Sequence, residues 1–584
     1  MAHEEVTSQI ESFVKYWGLL TGDEKGEAQV FCDRLFQAFG HAGYKEAGAS
    51  LEYRVKEKNK PTKYADLRWG NKLLLEMKSR GEDLQEHYRQ AFDYWIHTVP
   101  QRPHYVILCN FDEFWIYDFN LQLDEPLDKL KVTDLPDRYS ALNFLLPIEK
   151  PPIFQNDLVA VTRNAADSVA AVFRSLLKRG TDRAQAQRFV LQAVMAMFSQ
   201  DFGLLPKDIF TELLIECEAG ASSHDLIGAL FRQMNSPSTA RGSRFKEVRY
   251  FNGGLFASVE PIDLNLDEVR SLLTASKENW AKVKPVIFGT LFQSSMDAGD
   301  RHAYGAHFTS EADIMKVVIP TIERPFRQRL QQASTLKSLA TLKEDLHDFT
   351  VLDPACGSGN FLYLAYLQLR RLEDDLVTRV FQEFGKRAAL QIVRIPPVSL
   401  EQFHGIDILA VAVEIAKVTM MLAKEVALRE TVSRLRGAQI RLGERDLPLD
   451  NLDSIIRCDD ALFCVWPKAK AIIGNPPYQS KNKIQRELGV AYIQRVRRKY
   501  PAVPGRADYC VYWFRRTHDE LATGGRAGLV GTNTIRQNYS REGGLDYIAS
   551  NGGTIHEAVS TQVWSGDADV HVSIVNWTKE EITG

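Results

Sequence analysis

Cysteine is sparse in this chain of 584 residues, and it is badly spaced for structural chemistry. The seven (Cys32, Cys109, Cys217, Cys356, Cys458, Cys464 and Cys510) are odd in number and form no Cys-x-x-Cys pair. That argues against a disulfide framework and against a zinc ribbon. No apolar run approaches the roughly 20 residues that a helix needs to cross a bilayer. The acidic start, Met-Ala-His-Glu-Glu, lacks the basic-then-apolar order of a secretory signal. Together these absences read as a soluble cytoplasmic protein with no membrane partner. A basic excess is missing too: 72 Lys and Arg against 75 Asp and Glu leave a formal charge of −3, so any contact with nucleic acid has to come from local patches. There is no internal repeat and no low-complexity tract. What remains is ordinary globular composition, 45% hydrophobic, long enough for several cores and two to four domains.

Three regions differ in pattern. Residues 1–150 mix helix and strand: an amphipathic helix over 24–39, strands over 51–55, 73–78 and 105–108, a fourth over 114–119, and a helix over 84–97. A proline-rich step at 146–154 ends this region. Residues 151–285 have a helical period, with helices over 156–178, 183–202 and 209–219 and no catalytic spacing, and read as a helical connector. Across residues 286–584, short apolar strands at 349–352, 403–406, 471–473 and 527–530 alternate with helices, which predicts a mostly parallel sheet. The fold class is therefore α/β and multidomain.

The strongest motif is Val351-Leu-Asp-Pro-Ala-Cys-Gly-Ser-Gly-Asn-Phe361. An apolar strand runs into Asp353 and a turn in which Gly357 and Gly359 let backbone approach a ligand at the mouth of a sheet. Phe403-His-Gly-Ile-Asp407 ends a second strand on a carboxylate of the kind that grips ribose hydroxyls, and Asp460 ends the next, where it could accept from an adenine amine. Ala471-Ile-Ile-Gly-Asn-Pro-Pro-Tyr478 then ends a strand on two prolines that fix backbone angles and remove amide donors. This leaves the Asn475 side-chain oxygen and the Pro476 carbonyl, with Pro477 holding the turn and the Tyr478 ring beyond. Two acceptors facing an exocyclic amine draw both its hydrogens and localise the nitrogen lone pair, while the ring stacks on the base. Between Lys481 and Tyr500 seven bases (Lys481, Lys483, Arg486, Arg495, Arg497, Arg498, Lys499) meet one acid, Glu487. The run suits phosphates flanking a flipped base, or else a solvated helix face.

Near the start, Asp66 and Glu76 stand with nine residues between them and Lys78 follows. The carboxylates would straddle a hairpin, hold a hard divalent cation, and leave Lys78 to orient the attacking water. A preceding helix bearing Glu27 and a later Gln90-x-x-x-Tyr94 give the triplet its context.

The second set of residues resembles the PD-(D/E)XK nuclease core, with Ala65 where a proline often precedes the first acid. The resemblance implies Mg2+ at Asp66 and Glu76, with Glu27 as a further ligand. The first set resembles the S-adenosylmethionine-dependent DNA adenine-N6 methyltransferases of the gamma group, over residues 305–577. It implies a Rossmann-like domain in which His307, Phe308 and Thr309 of Gly305-Ala-His-Phe-Thr309 hold the methionine end of the cofactor. Asp353, Ala355, Gly357, Gly359, Asn360, Phe361, Asp407 and Asp460 then hold the rest, and Asn475 to Tyr478 position the target. Glutamine methyltransferases share Asn-Pro-Pro-Tyr but are usually short chains. Nuclease core, connector and methyltransferase in one polypeptide resemble the type IIL (MmeI-like) restriction-modification family. That implies a double-stranded DNA partner, adenine methylation and cleavage of unmodified DNA. The alternative is a phage-defence methyltransferase subunit whose N-terminal domain binds DNA without cutting. Family members continue into a target-recognition domain, so with the sequence ending at Gly584 the expectation is a missing or separately encoded specificity domain.

Overall fold

The computed structural model describes residues 3–55, 63–98, 102–123, 125–148, 150–154, 158–238, 244–248, 250–251, 254–280, 310–435, 452–478, 485–486, 488–563 and 571–579. The chain divides into two compact units, residues 1–160 with 310–312, and residues 161–309 with 313–584.

In the first unit α1 (His3–Trp17) and α2 (Glu24–Ala38) precede a six-stranded sheet. Its strands β1 (Ser50–Val55), β2 (Lys63–Trp69), β3 (Leu73–Met77), β4 (Tyr105–Cys109), β5 (Glu113–Tyr117) and β6 (Asp128–Lys131) lie in sequential order. Neighbours are antiparallel except β3 and β4, which run parallel. A parallel pair needs a crossover, and α3 (Leu84–His97) supplies it. The period of two sorts β3: Leu73, Leu75 and Met77 join a core with Phe31, Leu35 and Phe36 of α2. Glu76 points the other way, toward Gln90 of α3. The sequence pattern missed α1 and β6, and β2 was expected only as the other arm of the hairpin around Asp66 and Glu76; β6, Asp-Lys-Leu-Lys, carries a single apolar side chain.

The second unit opens on the helical connector: α4 (Leu158–Lys178), α5 (Arg183–Asp201), α6 (Ile209–Glu218), α7 (Ser223–Met234) and α8 (Leu266–Ser276). Every side chain from Phe189 to Gln200 on α5 is buried, so this helix has no solvent face there. After α9 (Glu311–Val318), α10 (Arg324–Gln332) and α11 (Leu336–His347) comes a seven-stranded sheet. Its strands are β7 (Val351–Asp353), β8 (Phe403–Asp407), β9 (Ile456–Cys458), β10 (Ala471–Gly474), β11 (Arg526–Thr532), β12 (Thr554–Val563) and β13 (His571–Thr578). The order is β12-β13-β11-β10-β7-β8-β9, with β13 antiparallel to both its neighbours and the other pairs parallel. Helices α12 (Asn360–Ile392) and α13 (Ala410–Leu435) make the first two crossovers. Helices α14 (Val490–Lys499) and α15 (Val511–Glu520) share a core with Leu352, Ile406, Ile472 and Leu529.

Because β8 lies on one side of β7 and β10 on the other, the winding reverses at β7. Sheets of this kind place their ligand crevice outside the carboxyl ends of the strands at such a reversal.

β13 anchors the far half of the sheet through Trp577, which is fully buried and stacks on Phe514 with ring centres 5.7 Å apart. Trp577→Ala is expected to cost about 3–5 kcal/mol, read as a lowered urea midpoint of the intact chain; an unchanged midpoint would refute this role.

Candidate active sites

At the winding reversal the ends of β7 and β10 come together. Gly474 ends β10 with φ +156°, and a Cβ there would stand 2.5 Å from Asp353 Oδ1, so only glycine lets the strand pass. Asp353 Oδ1 accepts from the Ala355 amide at 3.0 Å, which shapes the turn after β7, while Oδ2 is buried without a partner. Burial, reinforced by the nearby Asp407 charge, pushes the Asp353 carboxyl up to about 8. Gly357 (φ +52°) and Gly359 (φ +84°) follow in the left-handed region. A Cβ on Gly357 would meet none of the described residues within 4 Å. One carboxylate holds that turn in place: Asp407 Oδ2 accepts from the Gly357 amide and Oδ1 from Leu409, each at 2.9 Å.

Asp353, Ala355, Gly357, Gly359, Asn360, Phe361 and Asp407 thus gather on one edge. Asn360 opens α12 with its side-chain oxygen buried and unpartnered, and Phe361 is buried beside it. Asp460 lies two residues past β9 and accepts from the Leu462 amide at 2.9 Å. A cradle of glycine backbone with two unpartnered buried oxygens, on Asp353 and Asn360, fits a polar cofactor. His307, Phe308 and Thr309 lie outside the described residues.

Asn475, Pro476, Pro477 and Tyr478 follow β10 directly, on the same edge. The Tyr478 hydroxyl donates a short hydrogen bond to Asn475 Oδ1. The acceptor is thus met by a donor from its own motif, in the place where an amine hydrogen of a substrate would sit. Burial holds the Tyr478 phenol well above its usual range. Asp508, from the segment before α15, accepts from Thr532 Oγ1 at 2.8 Å and Thr534 Oγ1 at 3.2 Å.

The basic run is partly consumed by packing. The Arg495 guanidinium lies 3.7 Å from the centre of the Phe463 ring, and Lys499 Nζ reaches the Phe463 carbonyl at 3.4 Å. Arg497 donates to the Gly505 carbonyl at 2.9 Å. Arg486 and Arg498 are exposed, and Lys481 and Lys483 lie outside the described residues.

In the first unit, the β2–β3 register pairs Leu67 with Leu75, and one step further sets Asp66 opposite Glu76. Asp66 Oδ2 accepts from the Met77 amide at 2.7 Å. Glu76 Oε1 accepts from Lys78 Nζ at 2.9 Å and from Gln90 Nε2 at 2.6 Å, while Oε2 is buried without a partner. Gln90 Nε2 also reaches the Tyr94 hydroxyl at 2.9 Å. Burial, and next the Asp66 charge, push Glu76 up to about 7; burial raises Asp66 as well. Two carboxylates that resist ionising side by side, one with an idle oxygen, fit a cation that would relieve both.

Glu27, expected as a further ligand, is engaged elsewhere. Its carboxylate turns back to accept from the amides of Gly22 (2.6 Å), Asp23 (3.1 Å) and Thr21 (3.2 Å), capping the start of α2. Glu24, one turn earlier, stands 3.6 Å from Lys78 Nζ instead. Sequence reading missed it because both acids lie in the first turn of the same helix. Among the described residues no three His, Cys, Asp or Glu side chains gather as a metal site.

Comparison with known proteins matches three family models in order along the chain. They are the MmeI N-terminal domain (5–179), the MmeI helicase spacer domain (184–256) and the MmeI DNA-methyltransferase domain (328–583). DNA methyltransferase A of Bacillus subtilis (strain 168) is 25% identical over 504 residues, covering 82% of this chain, which spans 55% of that protein's length. The solved structure of the type IIL restriction-modification enzyme MmeI in complex with DNA has TM-score 0.62 at 24% identity, covering 72% of this chain and 57% of that one. No described helix is long and apolar enough to cross a membrane.

A Glu76 carboxyl near 7, against an unfolded value near 4.5, binds its proton more tightly when folded. Its contribution to stability is full below pH 4.5 and is lost as pH rises through 7. Between pH 5 and 8 the chain should lose roughly 2–3 kcal/mol, at about 1.4 kcal/mol per unit. Glu76→Gln should flatten that slope in urea titrations; an identical slope in the variant would refute the assignment.

Proposed function

Because the chain belongs to the MmeI-like family of type IIL restriction-modification proteins, we propose that its second unit is a DNA adenine-N6 methyltransferase using S-adenosylmethionine. The observation that carries this reading is the meeting of two motifs far apart in sequence at one winding reversal: the Asp353–Phe361 cradle and Asn475–Tyr478. When bound, S-adenosylmethionine supplies an activated methyl carbon. Gly357 and Gly359 admit it against backbone, Asp407 and Asp460 take its sugar and base, and His307, Phe308 and Thr309 take its methionine end. The target adenine is flipped from the duplex at a cost of a few kcal/mol. Asn475 Oδ1 exchanges its bond from the Tyr478 hydroxyl for one from the amine, and the Pro476 carbonyl accepts the second hydrogen. The freed ring of Tyr478 stacks on the base, with Pro477 fixing the turn. Positioning supplies most of the rate. Arg486 and Arg498, with Lys481 and Lys483, would contact the phosphates, while Arg495, Arg497 and Lys499 brace α14, which carries Arg498.

The first unit reads as a PD-(D/E)XK endonuclease acting on unmodified DNA. Bound Mg2+ would supply a Lewis acid at the scissile phosphate. Asp66 and Glu76 would hold it, Gln90 would fix Glu76, Lys78 would orient water, and Glu24 would stand in place of Glu27 as the acid of α2. We propose three domains, 1–150, 151–285 and 286–584, in a cytoplasmic enzyme. A second reading, in which the first unit binds DNA without cutting, rests on Glu76 Oε1 being already engaged by Lys78 and Gln90.

Purified chain with S-adenosylmethionine and unmethylated duplex, without Mg2+, should yield N6-methyladenine by mass spectrometry. Asn475→Ala should lower the yield at least 100-fold while the cofactor still raises the melting temperature. Equal yields from the two proteins would overturn the assignment. With Mg2+, nicking that vanishes in both Asp66→Ala and Lys78→Ala supports the nuclease; nicking that persists in them, or none from the intact chain, favours the second reading.

A further inference from the structure

The run of bases chosen from sequence is half spent on packing, and the structure offers cations elsewhere on the catalytic edge. β11 runs parallel to β10 with Gly474 opposite Leu529, so it continues three residues further, to Thr532. At about 3.3 Å per residue, the turn after β11 therefore stands some 10 Å beyond the end of β10, on the same side as Asn475. That turn is firmly built. Asp508 binds both Thr532 and Thr534, and its own amide donates to Ser540 Oγ at 3.0 Å. These bonds lock segment 506–510 to segment 532–540.

What the locked turn presents is cationic and aromatic. Arg506 and Arg536 are exposed. Tyr539, 45% exposed, takes the Arg506 guanidinium at 5.8 Å from its ring centre. Asn538, between them, is held at φ +42°, a conformation that a non-glycine residue adopts at some cost. Arg541 differs, because Asp546 accepts from it at 3.1 Å. Exposed arginines beside a catalytic edge, one steadied by a ring and mounted on a braced turn, are suited to phosphate oxygens.

We propose that Arg506 and Arg536, with Tyr539 steadying the first, form the surface that grips the DNA backbone beside the flipped base. This rests on the methyltransferase reading. The contact is to phosphate, so it positions the duplex without reading its sequence.

The test measures binding of a fluorescent unmethylated duplex to the intact chain by anisotropy, from about 0.05 to 0.2 M salt. Arg506→Gln and Arg536→Gln are each expected to weaken binding about tenfold near 0.1 M salt and to lower the salt slope by roughly one. Lys470→Gln, the same charge change just before β10 at the opposite edge of the sheet, should bind like wild type. Melting temperatures of all three variants should match wild type, which excludes misfolding as the cause. Unchanged affinity in both arginine variants, or an equal loss in Lys470→Gln, overturns the proposal. Methylation by wild type, measured alongside, separates the two readings. If it is present while the arginine variants bind normally, only this surface is wrong; if it is absent, the methyltransferase reading fails whatever the affinities show.

Discussion

Between β7 and β10 the large sheet reverses its winding, and at that seam a strand end has to pass within reach of a buried carboxylate. Gly474 permits the passage because it has no side chain, and Asp353, pressed from that side, turns one oxygen to the Ala355 amide. The rest of the edge follows from this contact. With Asp353 holding the turn from below and Asp407 from the neighbouring strand, Gly357 and Gly359 have one arrangement available. With β10 fixed at Gly474, the two prolines carry Asn475 and Tyr478 to one place. A larger residue at 474 would therefore disturb both halves of the chemistry together.

The smaller sheet meets the opposite problem, how to keep charge where water is scarce. Glu76 is 2% exposed and has a cation, an amide and a second carboxylate around it. Lys78 does not neutralise the group fully, since burial and Asp66 still hold Glu76 near 7. A site that is short of positive charge when empty is one that favours a cation when filled.

Legibility followed contiguity. The glycine turn and Asn-Pro-Pro-Tyr were readable because each is a continuous stretch whose chemistry is local to it, and the helices and most strands were readable from period alone. The hairpin holding Asp66 and Glu76 was inferred from spacing, and the β2–β3 register places them opposite one another. Glu24 and Glu27 could not be told apart in this way. They are three residues apart on one helix, and which of them faces β3 depends on how α2 docks on the sheet. The packing of the basic run was hidden for a related reason: Ile493 and Val496 are buried, so the turn of α14 carries Arg495 and Lys499 onto Phe463. Arg506 and Arg536 lie thirty residues apart and became neighbours in function only through Asp508 and Ser540.

The order of strands also bears on how the molecule is made. β13 is the last described strand in the sequence, yet it lies inside the sheet, antiparallel to β12 on one side and β11 on the other. As the chain leaves the ribosome, β10 and β11 can already pair, but the outer side of β11 stays open until β13 emerges and slots in. Until then Leu529 and Val530, fully buried in the finished molecule, have no partner strand beyond them. An open apolar edge is a template for wrong pairing.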